Sequence, residues 1–106
     1  MWREAYGLVH AGVATVEDID AAIANGPGLR WALLGPFATQ TISGGPGGMG
    51  HLLEHLGPAM DGYWESLLHT RLTEEVKAAV LAGVKDEMAG WDLAAVERER
   101  DELLVE

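Results

Sequence analysis

Three things are scarce in this sequence of 106 residues, and each absence narrows the class of protein. Cysteine is absent, so neither a disulfide framework nor a thiolate metal site can form, and a reducing cytoplasm suits the chain. Basic residues number 7 against 17 acidic ones, and the net charge of −10 repels nucleic-acid phosphates and anionic lipid heads. No apolar run approaches the roughly 20 residues that span a bilayer, and the first residues lack the apolar core of a signal peptide. We therefore expect a cytoplasmic protein with neither nucleic acid nor membrane as a partner.

A strand pattern is missing as well. Apolar residues recur three and four positions apart almost throughout, whereas no stretch alternates apolar with polar residues or concentrates β-branched and aromatic ones. The length suits one domain with a core of its own. The sequence therefore predicts an all-α fold, a compact bundle of about five to six helices in a single domain over residues 1–106.

The predicted helix boundaries follow from capping residues and from glycine and proline. Thr15, Thr73 and Asp92 are suited to cap helix N-termini. The first helix has no capping residue before it, so it looks cut at its N-terminus. Pro58 is predicted to end one helix and open a separate short turn. The predicted helices cover Trp2 to about Val13, Val16 to Ala24, Pro36 to Ser43, Met49 to Leu56, Thr73 to near Gly90, and the residues after Asp92.

Residues 25–37, here called the Arg-Trp segment, carry the most information. They read Asn25-Gly-Pro-Gly-Leu-Arg-Trp-Ala-Leu-Leu-Gly-Pro-Phe37 and place Arg30 and Trp31 between two Gly-Pro steps. Because glycine permits positive φ and proline locks φ, we expect a shaped loop that presents the pair in a defined geometry. A guanidinium can hold a carboxylate through two hydrogen bonds, and an indole face attracts a cation. The pair suits a zwitterion such as a betaine; the alternative is an exposed turn without a ligand.

Two further motifs have ordinary interpretations. The run Gly45-Pro-Gly-Gly-Met-Gly50 matches the dinucleotide fingerprint, but a predicted helix precedes it where that fingerprint needs a strand, so a flexible loop between helices is favoured. The run His51-Leu-Leu-Glu54-His55 matches an H-x-x-E-H zinc motif on a helix. A zinc site needs a third ligand, and a zinc protease also needs a substrate cleft that short helices hardly provide, so an ordinary amphipathic helix is favoured and no metal is predicted.

Seven aromatic residues could form a box for a quaternary ammonium group, since cation–π attraction favours tryptophan faces. Packing in the core or at a subunit interface is the alternative for each of them, and Trp31 is the strongest candidate for the box because Arg30 adjoins it. The set consists of Trp2, Tyr6, Trp31, Phe37, Tyr63, Trp64 and Trp91.

The chain resembles the C-terminal domain of the 3-hydroxyacyl-CoA dehydrogenase family. The residues that carry the likeness are Trp2-Arg-Glu-Ala5, Val16-Glu-Asp-Ile-Asp20, Gly26-Pro-Gly-Leu-Arg-Trp-Ala32, Gly35-Pro-Phe37, Glu97-Arg-Glu-Arg-Asp101 and Leu103-Leu-Val105. The longer segment before Gly35 and the run Leu53-Glu-His-Leu-Gly-Pro58 look like the branch that acts on free hydroxy acids. Within that branch the likeness is to carnitine 3-dehydrogenases and, more distantly, to L-gulonate 3-dehydrogenases with lambda-crystallin.

This resemblance implies a helical fold like the C-terminal domain of 6-phosphogluconate dehydrogenase, and an NAD-dependent oxidation of a 3-hydroxyl to a ketone. An N-terminal Rossmann domain would bind NAD and supply the family's catalytic serine and His-Glu pair, all before Met1. No residue of this chain is then catalytic or cofactor-binding, and the chain alone is expected to be inactive. His51, Glu54 and His55 do not match the catalytic positions.

The inherited roles are closure of the substrate site and homodimerisation. The resemblance places Gly35, Pro36 and Phe37 beside a small hydroxy-acid substrate, while Arg30 and Trp31 are assigned to substrate binding from their chemistry. Carnitine, gulonate and hydroxyacyl-CoA stay open as substrates. The alternatives from other classes are a free-standing helical module that only dimerises, and a metalloprotein using His51 and His55.

Overall fold

The computed structural model describes residues 1–105, and within them all regular structure is helical, which confirms the predicted all-α class. Seven α-helices follow one another, and a 3₁₀ turn over Gly45–Gly47 separates the fourth from the fifth. The helices are α1 (Trp2–His10), α2 (Val16–Ala24), α3 (Pro27–Trp31), α4 (Pro36–Ser43), α5 (Gly48–Ser66), α6 (Glu74–Glu87) and α7 (Leu93–Leu104).

The three predicted N-caps are all confirmed. The Thr15 hydroxyl accepts a hydrogen bond from the Asp18 amide at 3.0 Å, and the Asp18 carboxylate accepts one from the Thr15 amide at 3.3 Å, which completes a capping box on α2. Thr73 caps α6 and Asp92 caps α7 in the same way, each accepting from the amide three residues on at 3.2 Å. α1 lacks a side-chain cap, as predicted. Local chemistry thus determines where these helices begin.

Two helices end earlier than the sequence predicted. α1 stops at His10 instead of near Val13, because Gly12 takes a φ of +74° that a helix cannot continue through. α6 stops at Glu87, and Gly90 follows with a φ of +86°. In both cases the glycine ends the helix two or three residues before its own position.

The prediction of a helix break at Pro58 is wrong. α5 runs without interruption from Gly48 to Ser66, with Pro58 inside it. A proline inside a helix removes a single backbone hydrogen bond and crowds the carbonyl four residues earlier, at a cost of about 3 kcal/mol. Turns on both sides of Pro58 are long enough to hold the helix together across that defect.

The helices pack in two groups joined by α3. α1, α2 and α6 form the first group and α4 and α5 the second, while α3 contacts α2 on one side and α4 on the other. Close contacts hold the first group together. A side chain at Gly83 of α6 would collide with Val16 of α2, and one at Gly7 of α1 would collide with Thr70 in the segment that leads into α6. The Arg-Trp segment, which contains α3, therefore lies at the junction of the two groups.

Much apolar surface stays uncovered in this chain. Over residues 1–105 the buried hydrophobic side chains are Leu52 and Val76. The molecule measures 48 × 38 × 17 Å, and its thinnest dimension is less than two helix diameters of about 10 Å each. Most helices consequently have a face that no other helix of the chain covers. No helix among the described residues is long and apolar enough to cross a bilayer.

Candidate functional site

The Arg-Trp segment begins as a short helix rather than the open loop predicted from its glycines and prolines. Pro27 occupies the first turn of α3, where its fixed φ favours a helix and its missing N–H costs nothing. Gly26 and Gly28 let the segment lie directly on the end of α2. A Cβ at either glycine would come within 2.7 Å of a carbonyl oxygen, that of Ala22 or Ile23 respectively. The first Gly-Pro-Gly therefore anchors α3 to α2.

Backbone hydrogen bonds also fix the second half of the segment. The Arg30 carbonyl accepts from the amides of Leu33 at 3.0 Å and Leu34 at 2.9 Å, which turns the chain sharply after α3. Gly35 then caps α4, and its carbonyl accepts from the Thr39 hydroxyl at 2.9 Å. The prediction of a defined geometry for Arg30 and Trp31 is thus correct, although the geometry is helical.

All five predicted substrate-binding residues are exposed in this chain. Trp31 is 48% exposed and Phe37 74%, while Arg30 forms no ion pair with any residue among 1–105. Gly35 and Pro36 lie between them at the start of α4. The segment presents a cation and two aromatic rings outward, so any ligand bound here would need a second wall from outside these residues.

One residue of the segment was missed by sequence reasoning. Leu33 is 84% exposed, more than any other leucine of the chain. It lies in the turn between α3 and α4, where neither helix covers it. The sequence pattern that could have identified it is an apolar residue between the two Gly-Pro steps, outside any helical repeat that would place it in the core.

The aromatic residues do not assemble into one box within the described part of the chain. The four tryptophans are 47 to 74% exposed, and Tyr63 is 68% exposed. Trp2 and Tyr6 line a cleft with Ile19 and Ile23, whereas Trp91 lines another with Glu87. Core packing within the described residues therefore does not account for the tryptophans.

His51 and His55 lie one turn apart on α5, with ring centroids 4.2 Å from each other and ring planes tilted by 52°. Both are exposed. Residues 1–105 contain no group of three or more histidine, aspartate or glutamate side chains placed to hold a metal ion. The Gly45-Pro-Gly-Gly-Met-Gly50 run is divided between the 3₁₀ turn over Gly45–Gly47 and the first turn of α5, and Gly45 and Gly48 both have φ near +65°.

An acidic cleft lies where α2 meets the end of α6. Asp20 and Glu87 face each other there, with Glu17 and Trp91 beside them, around a volume of about 570 Å³. A side-chain hydrogen bond with Asp20 raises the pKa of the Glu87 carboxyl above its usual range, and burial and repulsion from Asp20 and Glu17 raise it further. The Glu87 Oε2 atom receives no hydrogen bond from any described residue. This cleft would repel a carboxylate, which distinguishes it from the Arg-Trp segment.

The amino-acid sequence of the chain matches one family model. The sequence model of "3-hydroxyacyl-CoA dehydrogenase, C-terminal domain" matches residues 1–85, from α1 to near the end of α6. The chain belongs to this family and corresponds to its C-terminal helical domain. The family assignment drawn from the sequence is therefore confirmed.

The relatives extend over the whole chain. A protein of Bacillus cereus named L-carnitine dehydrogenase is 46% identical over 106 residues, which is all of this chain and 32% of that protein. Proteins of the same name from Streptomyces coelicolor and Burkholderia mallei are 45% and 41% identical over all 106 residues, which are 33% of each. The chain spans about one third of the length of these curated relatives. No solved structure matches it significantly.

Proposed function

We propose that this chain is the substrate-binding and dimerisation domain of an NAD-dependent dehydrogenase that oxidises the 3-hydroxyl group of L-carnitine. The observation that carries the proposal is the 41 to 46% identity, along the full 106 residues, to proteins named L-carnitine dehydrogenase. The exposed Arg-Trp segment supports it independently, because carnitine has a carboxylate at one end and a quaternary ammonium at the other.

The geometry of α3 suits such a zwitterion. Successive residues of a helix point about 100° apart, so Arg30 and Trp31 cannot both hold the same small group. They can hold the two ends of one substrate, with the guanidinium on the carboxylate and the indole face against the trimethylammonium group. The hydroxyl between the two ends would then face the domain that supplies the chemistry, so this chain contributes orientation and closure.

NAD would be bound outside these residues. The only dinucleotide-like run, residues 45–50, forms a 3₁₀ turn and the first turn of α5, and the described residues contain no strand to precede it. The pyrophosphate-binding turn of a Rossmann domain needs that strand. We therefore assign hydride acceptance to residues outside this chain, which agrees with relatives about three times as long, and we assign no step involving NAD to this chain.

Arg30→Ala in the protein expressed from its complete reading frame tests the carboxylate contact. Loss of a desolvated, bidentate ion pair between the Arg30 guanidinium and the substrate carboxylate costs about 2 to 4 kcal/mol. The value of kcat/KM for L-carnitine should therefore fall roughly 30- to 1,000-fold. Arg98→Ala is the matched control, since Arg98 is an exposed arginine of α7 with no ion pair among residues 1–105. Equal kinetics for both variants would remove Arg30 from the site.

Trp31→Ala tests the cation contact separately. Cation–π attraction in a desolvated site is worth about 2 kcal/mol, so the variant should bind L-carnitine roughly 30-fold more weakly, while Trp31→Phe retains part of the affinity. The measurement is KM for L-carnitine compared with KM for a hydroxy acid without a quaternary ammonium group. A Trp31→Ala variant that weakens both substrates equally would contradict a role in cation recognition.

The exposed apolar surface supports the homodimer. Among residues 1–105 two hydrophobic side chains are buried and the tryptophans are 47 to 74% exposed, which leaves faces available for another subunit or domain. A light-scattering mass of two protomers is the expected result, whereas a mass of one protomer would contradict the dimer without affecting the proposed reaction.

A further inference from the structure

α7 is set apart from the rest of the chain. The family match ends at residue 85, before α7 begins at Leu93, whereas the L-carnitine dehydrogenases align through all 106 residues. Within the described residues, no other helix packs extensively against α7. Its apolar side chains are correspondingly exposed, with Leu93 at 59%, Leu103 at 71% and Leu104 at 74%. α7 thus lies beyond the residues that the family model matches and has an uncovered apolar face.

The composition of that face is unusual. At 100° per residue, six side chains of α7 fall within an arc of about 120°. Four of them are apolar and lie toward the two ends, and a glutamate and an arginine lie in the middle. The face consists of Leu93, Val96, Glu97, Arg100, Leu103 and Leu104. We call it the α7 face.

We propose that the α7 face pairs with the α7 face of a second copy of this chain, with the two helices antiparallel. This inference rests on the homodimer of the proposed function and deepens it by naming the contact. In an antiparallel pair centred between Glu97 and Arg100, each Glu97 lies opposite Arg100 of the partner subunit. The same register places each Leu93 opposite Leu104 of the partner subunit. One face thus supplies both halves of the contact, as a two-fold interface requires.

Charge complementarity selects this occupant and this direction. In the antiparallel pair the four central charges alternate in sign, so every close neighbour across the interface is of opposite charge. A parallel pair would place Glu97 beside Glu97 and Arg100 beside Arg100 and would be repelled. The apolar ends add contact area, since the antiparallel register brings Leu93 at one end of a helix about 18 Å long against Leu104 of the partner subunit, and the central charges alone set the direction.

Glu97 and Arg100 can give up their ion pairs within one chain for ion pairs with a partner subunit at little cost. In the single chain Arg100 Nη2 lies 3.9 Å from Glu97 Oε1 and 2.8 Å from Asp101 Oδ1, and the Arg100 side chain is 61% exposed. Exposed pairs of this kind contribute about 0 to 1 kcal/mol, so replacing them with pairs across an interface costs little. Two antiparallel helices of this length bury less than a standard interface, so α7 sets the direction of the dimer and other exposed apolar surface adds area.

A charge-exchange experiment tests the pairing on the protein expressed from its complete reading frame. Glu97→Arg makes the centre of the face entirely positive and Arg100→Glu makes it entirely negative. Each variant alone should dimerise at least tenfold more weakly than the parent chain, measured as a dissociation constant by analytical ultracentrifugation. An equimolar mixture of the two should recover dimers, and the double variant Glu97→Arg/Arg100→Glu should dimerise alone.

Matched controls use the same chemical changes on another side of α7. Glu99→Arg and Arg98→Glu lie off the α7 face and should leave the dissociation constant within about twofold of the parent value. Helix content from circular dichroism separates misfolding from lost pairing, and the recovered mixture does so a second time. Single variants that dimerise as tightly as the parent, or a mixture that stays monomeric, would overturn the α7 contact.

Failure of this inference is distinguishable from failure of the proposed function. Carnitine oxidation is measured on the same samples. A parent protein that oxidises carnitine as a monomer would overturn the α7 contact and leave the proposed reaction intact. A parent that dimerises through α7 without oxidising carnitine would support the contact and contradict the reaction.

Discussion

Gly83→Ala should destabilise the protein even though alanine is the better helix former. Gly83 lies inside α6, where the start of α2 crosses it, and a Cβ there would collide with Val16 Cγ2 and lie 3.0 Å from Val16 Cβ. Val16 is the first residue of α2 and is branched at Cβ, so its side chain cannot swing away freely. The new methyl group must therefore push α2 away from α6.

The expected magnitude follows from two opposing effects. Replacing glycine by alanine inside a helix gains up to about 1 kcal/mol, and overpacking a tight contact costs about 1 to 3 kcal/mol. Gly62→Ala is the matched control, because Gly62 is also inside a helix and a Cβ there meets nothing within 4 Å. The control should gain about 1 kcal/mol, so the two variants should differ by about 1 to 3 kcal/mol in unfolding free energy.

Thermal unfolding followed by circular dichroism measures both variants. For a domain of this size 1 kcal/mol corresponds to a Tm shift of about 4 to 8 °C, so the difference is readily measured. The double variant Gly83→Ala/Val16→Ala should recover part of the loss, with a coupling of at least about 0.5 kcal/mol. Equal gains for Gly83→Ala and Gly62→Ala, or the absence of that coupling, would refute the close approach of α2 to α6.

Two further changes test individual features of the fold. Pro58→Ala restores a hydrogen bond inside α5 and should stabilise the chain by about 1 to 3 kcal/mol in the same assay; a loss of stability would mean that the proline is needed where it is. Glu87→Gln removes one charge from the pair with Asp20. Because the folded-state pKa of Glu87 is raised, its stabilising contribution is present below about pH 4.5 and is lost as the pH rises through the folded pKa. The variant should therefore raise Tm at pH 7 and give no gain near pH 4, whereas Glu99→Gln on α7 should show no such dependence.

The helix starts could be predicted because each depends on atoms within three residues. Thr15, Thr73 and Asp92 form the capping hydrogen bonds that their side chains predict, and these bonds need no tertiary partner. The early end of α1 depends on a positive φ at Gly12, which a sequence permits but does not require. Local chemistry is therefore more reliable for the beginnings of these helices than for their ends.

The two errors in helix assignment share a physical cause. Proline is compatible with the first turn of a helix and unfavourable within one, so the sequence predicts a loop at Pro27, which opens α3, and a helix break at Pro58, which lies inside α5. Pro27 opens α3 because Gly26 and Gly28 allow close contact with the end of α2. Pro58 is tolerated because the turns around it belong to a helix of 19 residues.

The candidate site could be predicted as a segment but not as a cavity. Arg30 and Trp31 were found from their chemistry and from the helix-breaking steps beside them, and the structure places both on the surface. A substrate site needs a second wall, and the sequence of one domain does not describe the domain or subunit that covers it.

The measurement that tests the central claim most directly is NADH formation by the protein expressed from its complete reading frame. L-carnitine, L-gulonate and 3-hydroxybutyryl-CoA are supplied side by side, and kcat/KM is compared for the parent and for Arg30→Ala. A preference for L-carnitine that Arg30→Ala reduces at least 30-fold is the predicted result. Activity confined to the CoA ester, or a carnitine preference that is unchanged without the Arg30 guanidinium, would contradict the proposed role of the Arg-Trp segment.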